Sequence, residues 1–188
     1  MNDAASDLLD EHLAKARLGE RSALAALVRA HQRSVYSLAL RMLGTRDLAE
    51  DLTQEVFMQL HDNLRSIESN RHLGFWLRQV TSNRAIDQLR RRARVLLTPF
   101  DEEMPIFNEQ EAPDPLLQRH LRTLLCELSP PARAVLLLRF QEDLDPTEIA
   151  GTLSMPLNTV KSHLKRSLDI LREKTAGAKP LRLEGQSP

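Results

Sequence analysis

The sequence predicts an all-α protein built as two small helical domains joined by an acidic, flexible linker. Leu, Ala and Arg are abundant while aromatics make up 4% of the 188 residues, a composition that favours packed helices over sheets. Apolar residues recur at helical spacing on both sides of the chain's middle. Residues 96–115 break that spacing, with Pro99, Pro105, Pro113 and Pro115 set among acids. A patternless stretch of about 20 residues is long for a loop inside one compact domain.

The first helical block extends from about Ala4 to Arg94. Leu24, Leu27, Val28, His31, Val35, Leu38 and Met42 place one amphipathic helix over residues 21–43. Gly44 ends it and Thr45 is positioned to cap the next. That helix turns Leu48, Leu52, Val56, Phe57 and Leu60 inward and ends near Leu64. Its outer face carries Asp47, Glu50, Asp51, Gln54, Glu55 and Asp62. After the polar stretch Ser66 to Arg71, a third helix carries Leu73, Trp76, Leu77, Val80 and Ile86 to Leu89, then finishes in Arg90, Arg91, Arg92 and Arg94. The spacing of Trp76 with Leu73 and Val80 puts it in the core rather than on a base-stacking surface.

The second block starts near Pro115, with Leu117, Leu121, Leu124, Leu125 and Leu128 as its first stripe. The single cysteine, Cys126, excludes an internal disulfide and reads as a small buried hydrophobe in that stripe. Ser129-Pro130-Pro131 opens a helix holding Val135, Leu136, Leu138 and Phe140. Asp145-Pro146-Thr147-Glu148 is a fuller start signal for a short helix over about Pro146 to Leu153. Ser154 to Leu157 forms a turn, and Asn158 caps a last helix running to about Lys174. The tail from Ala176 has no periodicity and is expected to be disordered.

Residues 146–174 fit a helix-turn-helix. Ala150 is small where two helices cross, and Val160, ten residues on, is apolar where the second docks on the first. Ile149, Leu153, Leu157, Leu164 and Leu168 complete the inward side, and Ser154 stands at a turn position where many such motifs have glycine. What remains outward is Asn158, Thr159, Lys161, Ser162, Lys165, Arg166 and Arg172, groups suited to base edges and phosphates. The formal net charge of zero is no obstacle, because the charges are segregated. Seven arginines and one acid lie between Arg71 and Arg94, six acids and no base between Asp101 and Asp114, and a basic excess between Lys161 and Lys174.

Scattered histidines and one cysteine form no metal-ligand pair, and phosphate-loop and nucleophile-elbow motifs are absent, so neither cofactor nor catalysis is expected. No apolar run reaches the roughly 20 residues that span a bilayer, and the acidic N-terminus lacks the order of a secretory signal; a cytoplasmic protein is expected.

Three stretches in order resemble the extracytoplasmic-function (ECF) group of bacterial RNA polymerase sigma factors. Asp47 to Phe57, DLAEDLTQEVF, is similar to the family's polymerase-binding helix. Phe75 to Arg92, FWLRQVTSNRAIDQLRRR, resembles the helix that opens and reads the −10 promoter element. Leu128 to Arg166, with LSPPARAVLLLRF and DLDPTEIAGTLSMPLNTVKSHLKR, resembles the −35-reading domain. The resemblance covers about residues 10 to 173, and the acidic linker standing where larger sigma factors have a further domain points to the ECF group.

The resemblance implies a sigma region 2 domain over residues 1–95, a linker over 96–115, a sigma region 4 domain over 116–175 and a tail over 176–188. It implies that Asp47, Asp51, Gln54 and Glu55 meet core RNA polymerase, and that Asn83, Arg84, Asp87, Arg90, Arg91, Arg92 and Arg94 meet −10 DNA. It assigns Asn158, Thr159, Lys161, Ser162, Lys165 and Arg166 to −35 DNA, and the loop from Ile67 to Gly74 to capture of a flipped base. The implied partners are core polymerase, double- and single-stranded promoter DNA and an anti-sigma factor, with a monomer when free. The acidic linker is open between a nucleic-acid mimic and a solubilising tether. A dimeric helix-turn-helix repressor is the rival reading and requires a palindromic operator; a helical adaptor for protein alone leaves both arginine clusters unexplained.

Overall fold

The computed structural model describes residues 3–95 and 123–177, and every regular element among them is helical. The linker, Leu117, Leu121 and the tail from residue 178 lie outside the described residues. The first half comprises α1 (Asp3–Arg17), α2 (Arg21–Leu43), α3 (Arg46–Asn63), a 3-10 turn (Leu64–Ser66) and α4 (Asn70–Val95). The second comprises a helical segment over 123–127, α5 (Pro130–Phe140), α6 (Pro146–Leu153) and α7 (Leu157–Gly177).

Local chemistry explains the boundaries. Gly44 ends α2 in the left-handed region (φ +81°) with its amide donating to Leu40 O at 2.8 Å. Thr45 stands at the N-cap of α3 as expected, but its side chain makes no capping bond and its Oγ1 is buried without a partner. The capping box of α6 is complete: Asp145 Oδ1 accepts from the amides of Thr147 (2.7 Å) and Glu148 (2.9 Å), and Glu148 Oε2 accepts from the Asp145 amide (2.9 Å). Ser154 ends α6 at φ +51°, the conformation for which glycine is the usual choice. α7 begins at Leu157, two residues before the start that an Asn158 cap implies; Pro156 O accepts from the Thr159 and Val160 amides, so Asn158 lies in the first turn instead of capping it.

α1, which the apolar spacing does not separate from the rest of the first block, seals the bundle. Leu13 and Ala16 are buried, and Asp10 Oδ1 accepts from the Asn70 amide at 2.5 Å. A carboxylate from α1 thereby satisfies an orphan donor at the α4 N-terminus, where the helix dipole favours negative charge.

A single apolar core runs through both halves. Leu27, Leu38, Met42, Val56, Leu60 and Leu73 are buried in the first, and Val135, Leu138, Ile149 and Val160 in the second, all in one contiguous cluster. α5 packs on α2 and α4, and α6 packs on α4. At this junction Arg133 is 5% exposed. Its Nη1 donates to Met42 O (2.5 Å), Nε to Leu125 O (2.7 Å) and Nη2 to Cys126 O (2.9 Å).

Three inward assignments change. Cys126 is exposed, because Leu124 and Leu128 are the inward residues of that turn and a residue two positions from each points away. Leu157 is 36% exposed, since it begins α7 at the rim of the helix pair, and Phe140 is 64% exposed at the end of α5. Trp76 is half-buried and packs against the core, as its spacing implied.

A Cβ added at Gly44 meets nothing within 4 Å, so its cost is purely conformational. Gly44→Ala is therefore expected to lower stability by about 1 kcal/mol, and Ser154→Gly to raise it by about 0.5–1 kcal/mol. Urea midpoints at unchanged m-value measure both.

Candidate nucleic-acid and polymerase interfaces

On α3, the buried positions Ala49, Leu52, Val56 and Leu60 fix what faces outward. Asp47, Asp51, Gln54 and Glu55, spaced by about one and two turns, share the opposite, exposed face. Met58, seven residues after Asp51, is 63% exposed beside them. The sequence reading missed it; the signal was a large apolar residue off the inward period. A flexible thioether ringed by carboxylates is a surface suited to a protein partner rather than to DNA.

On α4, Asn83 is half-buried while Arg84, Asp87, Arg90, Arg91 and Arg92 are exposed; the Arg94 side chain lies outside the described residues. At 100° per residue Asn83, Asp87, Arg90 and Arg91 fall within one face, with Arg92 turned away from it. Asp87 moderates that face, its carboxylate lying 3.8 Å from Arg90 Nη1. Arg84 does something else: Nη1 reaches Glu55 Oε2 at 2.8 Å and Nε donates to Gln59 Oε1 at 2.9 Å. One residue expected on DNA and one expected on a protein partner thus hold each other, tying α4 to α3.

On α7, Val160 and Ser167 are buried, and Asn158, Thr159, Lys161, Ser162, Lys165 and Arg166 are all exposed. Lys161, Lys165 and Arg166 have no carboxylate partner among the described residues. The Ser162 hydroxyl donates to Asn158 O at 2.8 Å, so toward a ligand it can only accept. The face of this helix is cationic and hydrogen-bonding and is aimed away from the core, as required for a helix entering a major groove.

The expected base-capturing loop is shorter than the sequence suggested. From Asn70 onward it is the first turn of α4, and Ile67 is fully buried. The Glu68 amide donates to His72 Nδ1 (3.2 Å), and Ser69 Oγ accepts from the His72 amide (3.1 Å). Two cavities border this edge. One of about 250 Å³ is lined by His31, Asn70, Arg71, Gly74, Arg78 and, from the second half, Glu142. The other, about 390 Å³, lies between Arg71, His72 and Phe75 on one side and Leu144, Glu148 and Thr152 on the other.

His31 hydrogen-bonds Asn70 Oδ1 at 3.1 Å. Burial holds its imidazole below the ordinary histidine value; the bond to Asn70 opposes that, and the Arg78 charge adds to it. A base with a depressed folded pKa binds fewer protons folded than unfolded, so stability is full above about pH 6.5 and falls as the pH drops below that value. Unfolding at pH 7.5 and 5.5 is expected to show a smaller acid loss for His31→Gln than for the parent chain.

Residues 27–95 match the sigma-70 region 2 family and residues 118–171 match sigma-70 region 4. The ECF RNA polymerase sigma factor SigE of Mycolicibacterium smegmatis is 35% identical over 153 residues, 78% of this chain; the chain spans only 59% of that relative's length. The RNA polymerase sigma-E factor of Streptomyces coelicolor is 33% identical over 162 residues, covering 83% of this chain and 88% of that one. The sigma factor RpoE from Bartonella quintana, solved in complex with the anti-sigma factor NepR, superposes with a TM-score of 0.67 at 22% identity. It covers 81% of this chain and 96% of its own, a likeness of fold.

Proposed function

The chain belongs to the sigma-70 family, in the ECF group of RNA polymerase sigma factors, and on that premise we propose how its surfaces divide the work of promoter-specific transcription initiation. The observation that carries the reading is the arrangement of three exposed faces on rigid helices: acidic on α3, arginine-rich on α4, and cationic with hydrogen-bonding groups on α7.

In this reading residues 1–95 form the region 2 domain and residues 116–175 the region 4 domain, with 96–115 as linker and 176–188 as tail. Asp47, Asp51, Gln54 and Glu55, joined by Met58, dock core RNA polymerase. Asn83 and Asp87 meet −10 bases, while Arg90, Arg91, Arg92 and Arg94 hold phosphates of the strand being opened. The first turn of α4 receives an unstacked base; the loss of stacking is offset by contacts available only to single-stranded DNA. α7 enters the major groove of the −35 element, with Lys161, Lys165 and Arg166 on phosphates and base acceptors and Asn158, Thr159 and Ser162 on base edges. The dipole at the α7 N-terminus adds to the attraction for phosphate. The protein has no chemistry of its own in this scheme: it supplies address and strand separation, and the polymerase supplies catalysis. It works in the cytoplasm, as a monomer when free. An anti-sigma factor is a further partner, supported by the RpoE likeness, since that protein was solved with one bound.

If Asp51 and Gln54 meet the polymerase, Asp51→Arg and Gln54→Ala chains that keep their helical content will copurify with core polymerase at least tenfold less than the parent; retention at parental levels rejects the assignment. For α7, Lys165→Ala is expected to weaken binding to −35 fragments evenly across sequences and to reduce the slope of log affinity against log salt by about 1, as for one lost phosphate contact. An unchanged slope places Lys165 off the DNA.

A further inference from the structure

At the first turn of α4, one backbone bond decides where a side chain carries its proton. The Glu68 amide lies 3.2 Å from His72 Nδ1 and has only a hydrogen to give. Nδ1 must therefore be bare, and the neutral ring holds its proton on Nε2. Ser69 Oγ accepts from the His72 amide at 3.1 Å and keeps its own hydrogen for a further partner. His72 Nε2 and the Ser69 hydroxyl are thus donors whose orientation is set by bonds to the backbone.

Both residues line the cavity of about 390 Å³, a volume in the range of small-ligand sites. Arg71, Phe75 and Arg78 line it too, and their spacings of four and three residues put them along one side of α4. Guanidinium groups only donate, and the Arg78 Nε is buried with no partner. Glu68 takes part through its amide, and its side chain is not in the cavity lining. The first half therefore brings this space a ring to stack on and a set of donors, with no carboxylate among them. Glu148 and Thr152 face the same space from the half assigned to the −35 element.

An edge made of donors sorts bases by their carbonyls. An unstacked base shows its Watson–Crick edge as well as its groove edges. Thymine, cytosine and guanine each carry a carbonyl oxygen, whereas adenine has none and presents an amino group. Against this edge the adenine amino hydrogens would meet further donors, leaving polar groups unpaired on both sides.

We propose that His72 is a specificity-determining residue for the base that leaves the stack: with Phe75 against the base and His72 Nε2–H on a carbonyl oxygen, the α4 edge accepts thymine, cytosine or guanine and rejects adenine. The inference rests on the promoter-opening reading and names the class of base taken at that site.

The test uses holoenzyme assembled from the full chain and core polymerase. It is offered fork-junction DNA randomised in both the duplex −35 segment and the single-stranded −10 segment. Bound molecules are sequenced, and base frequencies at each position are compared with the starting pool. The parent chain should deplete adenine about tenfold at one −10 position, the ratio expected for one lost hydrogen bond that leaves a donor unpaired. His72→Phe keeps an aromatic ring and removes the donor; it should abolish that depletion and leave the preferences at other positions in place. His72→Gln supplies both functions, a carbonyl oxygen for the Glu68 amide and an amide hydrogen for the base, and should restore part of the depletion. A merely structural role for His72 gives a loss spread over all positions, with Gln no better than Phe, and that result overturns the proposal. So does a −10 segment with no adenine-depleted position, or a depletion that His72→Phe leaves unchanged. Holoenzyme that enriches no sequence at all removes the promoter reading, and the proposal with it.

Discussion

The structure depends on one buried cation. The last carbonyls of a helix have no partner within it, and when a helix ends inside a protein they need donors from elsewhere. Met42 O belongs to the final turn of α2, and Leu125 O and Cys126 O to the end of the helical segment 123–127. Arg133 serves all three with one planar fork, and so caps a helix from each half at once. Among the described residues no carboxylate pairs with it; burial pushes its pKa down, the neighbouring Cys126 thiol opposes that, and carbonyl dipoles offset the lost hydration. Hydrogen bonds from a charged donor contribute about 1.5–3 kcal/mol each, comparable to the effective cost of dehydrating the ion. The net gain is therefore small, and the larger effect is on geometry. Arg133 ties α5 to the end of α2, and α6 packs on α4 beside it.

The outward faces take their precision from the buried sides of the same helices. Each binding surface is the far side of a helix whose near side is locked: α3 by Leu52 and Val56, α4 by Leu73 and Leu77, α7 by Val160. A side chain on such a helix is placed by the core rather than by its own neighbours. The bridge from Arg84 to Glu55 and Gln59 links two of these faces. An exposed pair of this kind contributes only about 0–1 kcal/mol, so either member can exchange it for another partner at little cost. In the proposed scheme, polymerase drawing on Glu55 would release Arg84 toward DNA.

What the sequence made legible was whatever a few neighbouring residues decide. Gly44 and the Asp145–Glu148 capping box rest on interactions within a turn or two, and the Ala150–Val160 pair and the inward stripes of α2 to α4 show as fixed spacings. The exposed α3 and α7 faces followed by subtraction, whereas Asn83, Arg84 and Asp87 on α4 were named from the family resemblance. Hidden from that reading was everything made by distant pairs: Asp10 capping α4 from 60 residues away, and Arg133 reaching Met42 across 91. No periodicity marks Arg133 as inward, because arginine in an apolar run reads as an exposed interruption. The same limit explains Thr45, whose position was right but whose bond is absent, and Cys126, whose stripe was real but whose own angle was wrong.

Tethering gives the junction its meaning. A covalent connection keeps each half at a high effective concentration for the other, so even weak complementary surfaces stay together when nothing competes. The same connection raises the local concentration of the second DNA grip once the first is engaged. These two uses oppose each other, and the interface has to be strong enough to close yet weak enough to yield. A junction built on a carbonyl-capped arginine, one long Arg78–Glu142 pair and a 3.4 Å amide–hydroxyl contact is polar enough to rehydrate on opening. The apolar contacts beneath it supply the closing force.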